Sequence, residues 1–464
     1  MILEIDTGDT AWVLTSAALV LLMTPGLALF YGGMVRAKGV LNMMMMSFIT
    51  MGTIGVLWVL YGYSLAFGNS FGFEVGPSRT LADGSPGPSY FGLLGNPADF
   101  AGLQSILNGD SQVFTLPSLA FVAFQSVFAI IAVALVSGAL ADRVKFGAWT
   151  LFTVLWGTIV YFPVAGWVFS FDGGTAEHGG WIANWLGALD FAGGTAIHIN
   201  AGTAALALAL VIGPRIGFGS KSMRPHNMTL VMIGAGLLWF GWFGFNAGSA
   251  VGANWWAATA WVNTLAATAA AMLGWLVVER FRDGHPTSLG AASGVVAGLV
   301  AITPAAGSVS PLGSILVGVI AGVACAYAVG LKYKLGYDDS LDVVGVHLVG
   351  GLVGTLLIGF LADPASPAAT AGLFYGGGLD QLWRQAVGAI AVLVYSFVLT
   401  YLIGLLIKHT IGWRVSTNNE LGGIDLAEHS EVGYDLSPVY YSSRVQRTLV
   451  LTADDLPESE KTGA

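Results

Sequence analysis

Charge is what this sequence has least of. Lys and Arg number 18 and Asp and Glu 27 in 464 residues, 10% of the chain, against about 25% in a soluble domain. That is too few to coat a water-facing surface, which excludes an ordinary soluble enzyme or binding module and leaves a polytopic membrane protein. The basic residues form no patch and the net charge is −9, so a nucleic-acid partner is excluded as well. Cysteine is nearly absent: Cys325 alone rules out a disulfide framework and a cysteine-ligated metal site. No HExxH motif or third close ligand accompanies the histidines, whereas catalytic zinc takes three protein ligands. No metal, no other cofactor and no enzyme activity is expected. Also missing is a basic region at the start. MILEIDTGDTAW is acidic, so the first apolar segment is expected to remain in the mature protein and not to leave as a signal peptide.

What the chain does have is apolar residues and glycine. Hydrophobic residues make up 55%, and 65 of the 464 residues are glycine, about twice the usual share. Small residues let helices approach closely in lipid, and Gly318/Gly322 and Gly350/Gly354 are spaced for that. A membrane span needs about 20 mostly apolar residues. Read by that rule, the chain has eleven, beginning near Trp12, Val40, Leu116, Trp149, Thr195, Leu230, Trp261, Leu289, Ser314, Val343 and Ala386. The eighth is diluted by Gly, Ala and Thr303-Pro304. Basic residues follow the odd spans: Arg36 and Lys38, Arg143 and Lys145, Arg215, Lys221 and Arg224, Arg280 and Arg282, Lys332 and Lys334, Lys408 and Arg414. The other loops hold only Arg79 and Arg384. Because cytoplasmic loops carry the excess of Lys and Arg, the N-terminus is expected outside and the C-terminus in the cytoplasm. The expected fold is an all-α, multi-pass protein of the cell membrane. Its longest outer loop, about 69–114, is either a vestibule rim or a plain surface loop.

Two short motifs stand out in the apolar background. DFAGGTAIHIN (190–200) opens the fifth span with Asp190, two glycines and His198; DVVGVH (342–347) opens the tenth with Asp342 and His347. Ionisable groups inside lipid-embedded helices are costly and mark function by default. Their placement at the starts of spans five and ten divides the chain into two five-helix halves. Since five is odd, the second half enters the membrane upside down, the inverted-repeat arrangement of many transporters. The expected division is a transmembrane domain over 1–409, with repeat one about 10–215, repeat two about 227–363 and an eleventh helix about 385–409. A cytoplasmic tail follows over 410–464, read as docked and regulatory in its first part and possibly disordered in its last. Asp190 is expected to cap the fifth helix, as Asp does at helix starts, with an electrostatic role toward a nearby cation as the alternative.

Six stretches in order resemble one family: LFYGGMVRAKGVLNM (29–43), FQSVFA (124–129), DFAGGTAIHIN, GWFGFNAGSA (241–250), ITPAAG (302–307) and DVVGVH. Together they are similar to the ammonium transporters of the Amt/Mep/Rh superfamily, the prokaryotic Amt branch above all, over about 8–414. The resemblance implies a pore through each protomer of a homotrimer. It implies an outer recruitment site for ammonium at Phe128, Trp242 and Ser249, completed by Phe169 where the family has a tryptophan; Trp167 and Trp181 are the other candidates. It further implies a phenyl gate of Phe128 and Phe245, and a pore and proton relay at His198 and His347, where ammonium loses its proton and ammonia crosses. Thr303 resembles a pore-lining position, with a helix-packing hydroxyl as the alternative. Methylammonium is a plausible second substrate. The GID-L--H-E-GY pattern (423–434) resembles the family's cytoplasmic extension, which couples protomers and can answer to a PII-type regulatory protein. An ammonium sensor or transceptor sharing the fold is the rival reading.

Overall fold

The computed structural model describes residues 4–80, 86–109 and 111–434. Those residues are mostly helical, and ten helices among them are long and apolar enough to cross a membrane. In chain order the helices are α1 (Thr7–Met34), α2 (Val40–Phe67), α3 (Ser118–Leu140), α4 (Phe146–Phe169), α5 (Gly194–Ile212), α6 (Met228–Gly248), α7 (Trp255–Arg282), α8 (Ser288–Ile302), α9 (Pro311–Leu335), α10 (Val344–Leu361) and α11 (Asp380–Thr410). The shorter one is α8, at 15 residues, about 22 Å at 1.5 Å per residue. It stops at Thr303, which is still helical in φ/ψ, because Pro304 has no N–H with which to continue the helical hydrogen bonds.

Glycine decides how closely α7 and α9 lie. A Cβ added at Gly318 or Gly322 would meet the Ala267 or Ala271 carbonyl oxygen at 2.2 Å, so only hydrogen fits between the two backbones. The long loop holds more order than its Gly, Pro and Ser content suggests. Strands β1 (Ser70–Thr80) and β2 (Pro86–Gly95) pair antiparallel, a departure from an all-α chain. Alternating aromatics anchor this hairpin: Phe73 stacks on Phe91 at 5.2 Å and Phe91 on Trp181 at 5.0 Å.

The basic loops that follow α1, α3, α5, α9 and α11 meet on one face. Arg36 bridges Asp142 at 3.0 Å, Arg215 reaches Asp142 at 3.5 Å and Asp338 at 2.9 Å, and Arg143 lies 3.8 Å from Asp338. Buried charges persist only when paired in this way. The chain beyond α11 docks on the same face. Arg36 donates to the Glu420 carbonyl, and Arg414 pairs with the Glu420 carboxylate at 2.6 Å. Two further tail carboxylates serve as helix caps. Asp425 accepts the N–H groups of Leu41 (3.0 Å) and Asn42 (2.8 Å) at the start of α2, where Gly39 offers no side-chain cap. Glu428 accepts Phe146 N–H at 2.8 Å at the start of α4, where Lys145 offers none. The final stretch of the tail, 435–464, lies outside the described residues.

Candidate functional site

The site is built from the starts of α5 and α10. Before α5 the Asp190 carboxylate collects the N–H groups of Gly193, Gly194, Thr195 and Ala196, together with the Thr195 hydroxyl. These include donors that the first turn of a helix leaves unpaired. Gly193 turns the chain at φ +123°, a value that side chains rarely adopt, and a Cβ on Gly194 would lie 2.5 Å from the Pro304 ring. The first turn of α5, Gly194–Ile199, is wound as a π-helix and ends on His198.

The start of α10 repeats this construction. Its first turn, Val344–Leu348, is also a π-helix and carries His347. Wide turns of this kind occur often at functional sites. The matching carboxylate is Asp339, not the Asp342 that the motif comparison pairs with Asp190. Asp339 accepts from Val343 N–H at 3.0 Å and Val344 N–H at 2.7 Å, and it precedes His347 by the eight residues that separate Asp190 from His198. Asp342 instead takes the Lys332 ammonium at 2.6 Å.

Burial pushes the Asp339 carboxyl up to about 6, against the pull of Lys332. A carboxyl raised in the folded state stabilises the fold fully below its unfolded value of about 3.9, and that contribution is lost as pH rises through the folded value. Relative to Asp339→Asn, the wild type should therefore lose thermal stability between about pH 4 and pH 6, by roughly 2–3 kcal/mol, and hold level above. Equal pH profiles for the two proteins in thermal unfolding would contradict this.

The two imidazoles meet. Nδ1 of His347 lies 3.2 Å from Nδ1 of His198, and the ring centroids are 5.3 Å apart. One Nδ1 therefore donates and the other accepts, which leaves a neutral pair with one Nε2–H donor and one bare Nε2 acceptor. Nε2 of His198 is buried without a partner. Two glycines, each four residues after a histidine, permit the approach. A Cβ on Gly202 would lie 2.4 Å from the Leu348 nitrogen, and one on Gly351 would lie 3.2 Å from the His198 Cβ.

A file of rings continues from the imidazoles. His198 stacks on Trp242 at 5.5 Å and lies 6.1 Å from Phe245, while Phe245 faces Phe128 at 4.4 Å and Phe128 faces Phe124 at 4.7 Å. The free space bounded by His198, His347, Trp242, Phe245 and apolar side chains of α1, α3 and α8 is about 10 Å³, close to the minimum for a single water-sized molecule.

Phe128, Phe245, His198 and His347 are thus brought together. Trp242, grouped in the sequence reading with Ser249 at the outer mouth, lies instead against His198. It precedes Ser249 by seven residues on α6, about 10 Å along the axis. Its indole N–H donates to the Thr303 hydroxyl at 2.8 Å, and that hydroxyl donates to Leu299 C=O at 2.7 Å, so Thr303 is occupied in holding Trp242. Ser249 donates to Phe245 C=O at 2.8 Å, which leaves its oxygen lone pairs as acceptors. Phe169 is buried at the end of α4, and among the described residues it makes no ring contact with Phe128 or Trp242. Trp167 bonds Leu93 C=O at 2.7 Å, and both Trp167 and Trp181 belong to the aromatic cluster beneath the hairpin. Sequence reasoning missed Gly202, Gly351 and the capping role of Asp339; the equal Asp-to-His and His-to-Gly spacings in the two motifs were the available signal.

Known proteins resemble this chain in sequence and in fold. The family model described as Ammonium Transporter Family matches residues 11–434. This chain belongs to the ammonium transporter family. An ammonium transporter of Mycobacterium tuberculosis is 59% identical over 453 residues, covering 93% of this chain and 91% of the relative. One from Aquifex aeolicus is 46% identical over 435 residues, covering 93% and 95%. The crystal structure of Saccharomyces cerevisiae Mep2 superimposes with a TM-score of 0.80 at 33% identity, over 94% of this chain and 93% of that one. A solved structure called Sensor Amt Protein gives 0.80 at 28% identity, over 91% and 98%. As a member of this transport family with ten membrane-length helices, the chain is a multi-pass protein of the cell membrane.

Proposed function

We propose that this protein is an ammonium transporter that strips the proton from ammonium and conducts ammonia past the His198–His347 pair. The observation that carries the reading is the shared Nδ1···Nδ1 contact of 3.2 Å at the foot of a file of aromatic rings. Ammonium resembles potassium in size and charge, so recognition uses what potassium lacks, N–H donors. The Ser249 lone pairs accept them, and the faces of Phe128 and Phe169 add cation–π attraction of about 0.5–2 kcal/mol. Phe128 and Phe245 then close the way to water and hydrated ions, since apolar constrictions gate by dewetting. An ion cannot follow into space this small and dry without losing its hydration. The N–H bond of ammonium breaks, the proton goes to the bare imidazole Nε2, and ammonia continues. The N–H···N contact of the pair carries the proton onward. Trp242, held by Thr303, buttresses the His198 ring, and Asp190 fixes the helix start beneath it.

The architecture that goes with this function has eleven crossings, with α8 as the eighth, in two inverted halves of five and a final α11. Meeting of the loops after α1, α3, α5, α9 and α11 on one face supports an outer N-terminus and a cytoplasmic C-terminus. The domain division at about residue 409, a homotrimeric assembly and regulation of the docked tail by a PII-type protein complete the proposal, with methylammonium as a second substrate.

Solid-supported membrane currents from proteoliposomes test it. An ammonium jump should give a transient current, and a potassium jump of equal size should give less than about a tenth of it. Equal currents would remove the selectivity on which the site is argued. The match to a solved sensor protein favours a second reading, ammonium sensing without conduction, and absence of any ammonium current would support that reading.

A further inference from the structure

Lys332 sits near the C-terminal end of α9, buried, on the wall of a cavity of about 420 Å³. Its ammonium group donates to the Asp342 carboxylate at 2.6 Å and to the Asp339 carbonyl at 2.9 Å, and lies 5.5 Å from the centroid of the Tyr333 ring. A carboxylate, a carbonyl and an aromatic face are the partners by which an ammonium ion itself would be recognised. They stand at the start of the helix that carries His347, the end of the path from which product leaves. We infer that the Lys332 side chain is a tethered ammonium filling a cation site that the free ion would otherwise occupy. The inference rests on the transport reading for its benefit to the protein, since a filled site cannot trap a departing ion, but not for its chemistry.

Local charge supports it. Asp339 precedes Asp342 by three residues, and its carboxylate is turned to the N–H groups of Val343 and Val344. Without Lys332 the two carboxylates would have no cation bonded to them. Arg143 and Arg215 are taken by Asp338, Arg282 by Asp283 and the Ala326 carbonyl, and Lys334, on the same cavity wall, is exposed and among the described residues pairs with neither carboxylate. A free ammonium in place of Nζ has four N–H donors, two for the same oxygens and two for water in the cavity. A second inorganic cation, potassium, has the charge without the donors.

The purified Lys332→Ala protein tests this in thermal unfolding at pH 7.5, in sodium, potassium or ammonium chloride at equal ionic strength, and with propylammonium, which also refills the space of the lysine stem. Lys332→Ala should melt below wild type in sodium. At an ammonium concentration about ten times Kd it should gain roughly 1–2 °C more than wild type does, and more still with propylammonium. If the variant is too unstable to isolate in sodium, purification in ammonium should recover it. The double variant Lys332→Met/Asp342→Asn, which removes both charges, should gain no more from ammonium than wild type does. A Lys332→Ala protein that gains nothing from ammonium beyond wild type overturns the inference, as does an equal gain with potassium. Wild-type ammonium currents report separately on transport, so failure of one reading is not failure of the other.

Discussion

Replacing His198 by alanine should abolish the ammonium-driven current of reconstituted protein, a fall of roughly 100-fold or more, the scale of a lost proton-transfer group. The reason is local. His198 faces Trp242 and Phe245 on one side and His347 on the other, with an unpartnered Nε2 beside a space fit for one small molecule. Alanine removes the acceptor and breaks the N–H···N contact, so a proton released from ammonium has nowhere to go in an apolar lumen. Without that acceptor the ion meets the full cost of desolvation. The folded protein should still be recovered from detergent, because the backbone of α5 is held by Asp190 and not by the imidazole. Currents equal to wild type in a correctly inserted His198→Ala protein would defeat the proton relay.

A large loss is also expected from a change that removes no polar group. Gly202→Ala places a methyl group 2.4 Å from the backbone nitrogen of Leu348 and 2.7 Å from its Cα. Backbone atoms cannot swing aside, so α5 and α10 must move apart. Leu348 follows His347 directly, and the shift carries the imidazole with it. A few tenths of an ångström takes the 3.2 Å contact to the limit of a hydrogen bond. Overpacking of this kind costs about 1–3 kcal/mol, so Tm should fall and the current should drop roughly tenfold or more. Gly52→Ala on α2, where an added Cβ meets nothing within 4 Å, is the control and should leave both unchanged. A Gly202→Ala protein with wild-type Tm and current would show that helix proximity does not set the imidazole geometry.

Much of this was legible in the sequence, and the exceptions have physical reasons. Hydrophobic runs located the helices well, with starts such as Val40, Thr195 and Val343 within a residue of α2, α5 and α10, because lipid permits few alternatives to a helix. Two histidines in apolar segments pointed to each other across 149 positions and do meet. The capping role of Asp339 was passed over because Asp342, three residues nearer His347 and inside the motif, attracts attention, whereas the helix start is set by which carboxylate can reach its N–H groups. The depth of Trp242 was missed for a related reason: residues seven apart on a helix share a face but not a level. The hairpin escaped notice because its glycines and prolines mask the alternation of Phe71, Phe73 and Phe91. The docking of Asp425 and Glu428 depends on contacts hundreds of residues distant, which no local pattern encodes.

Those two tail carboxylates also bear on the order in which the molecule is made. Synthesis runs from the N-terminus, so α2 and α4 emerge with the N–H groups of Asn42 and Phe146 still waiting for acceptors that lie 383 and 282 residues further on. Water must serve those donors until residues 425–428 have been made, and the starts of both helices reach their final state only when that stretch folds back onto them. Docking of the tail is thus a late step of folding, and the finished molecule displays, on the face where the basic loops meet, whether that step was taken.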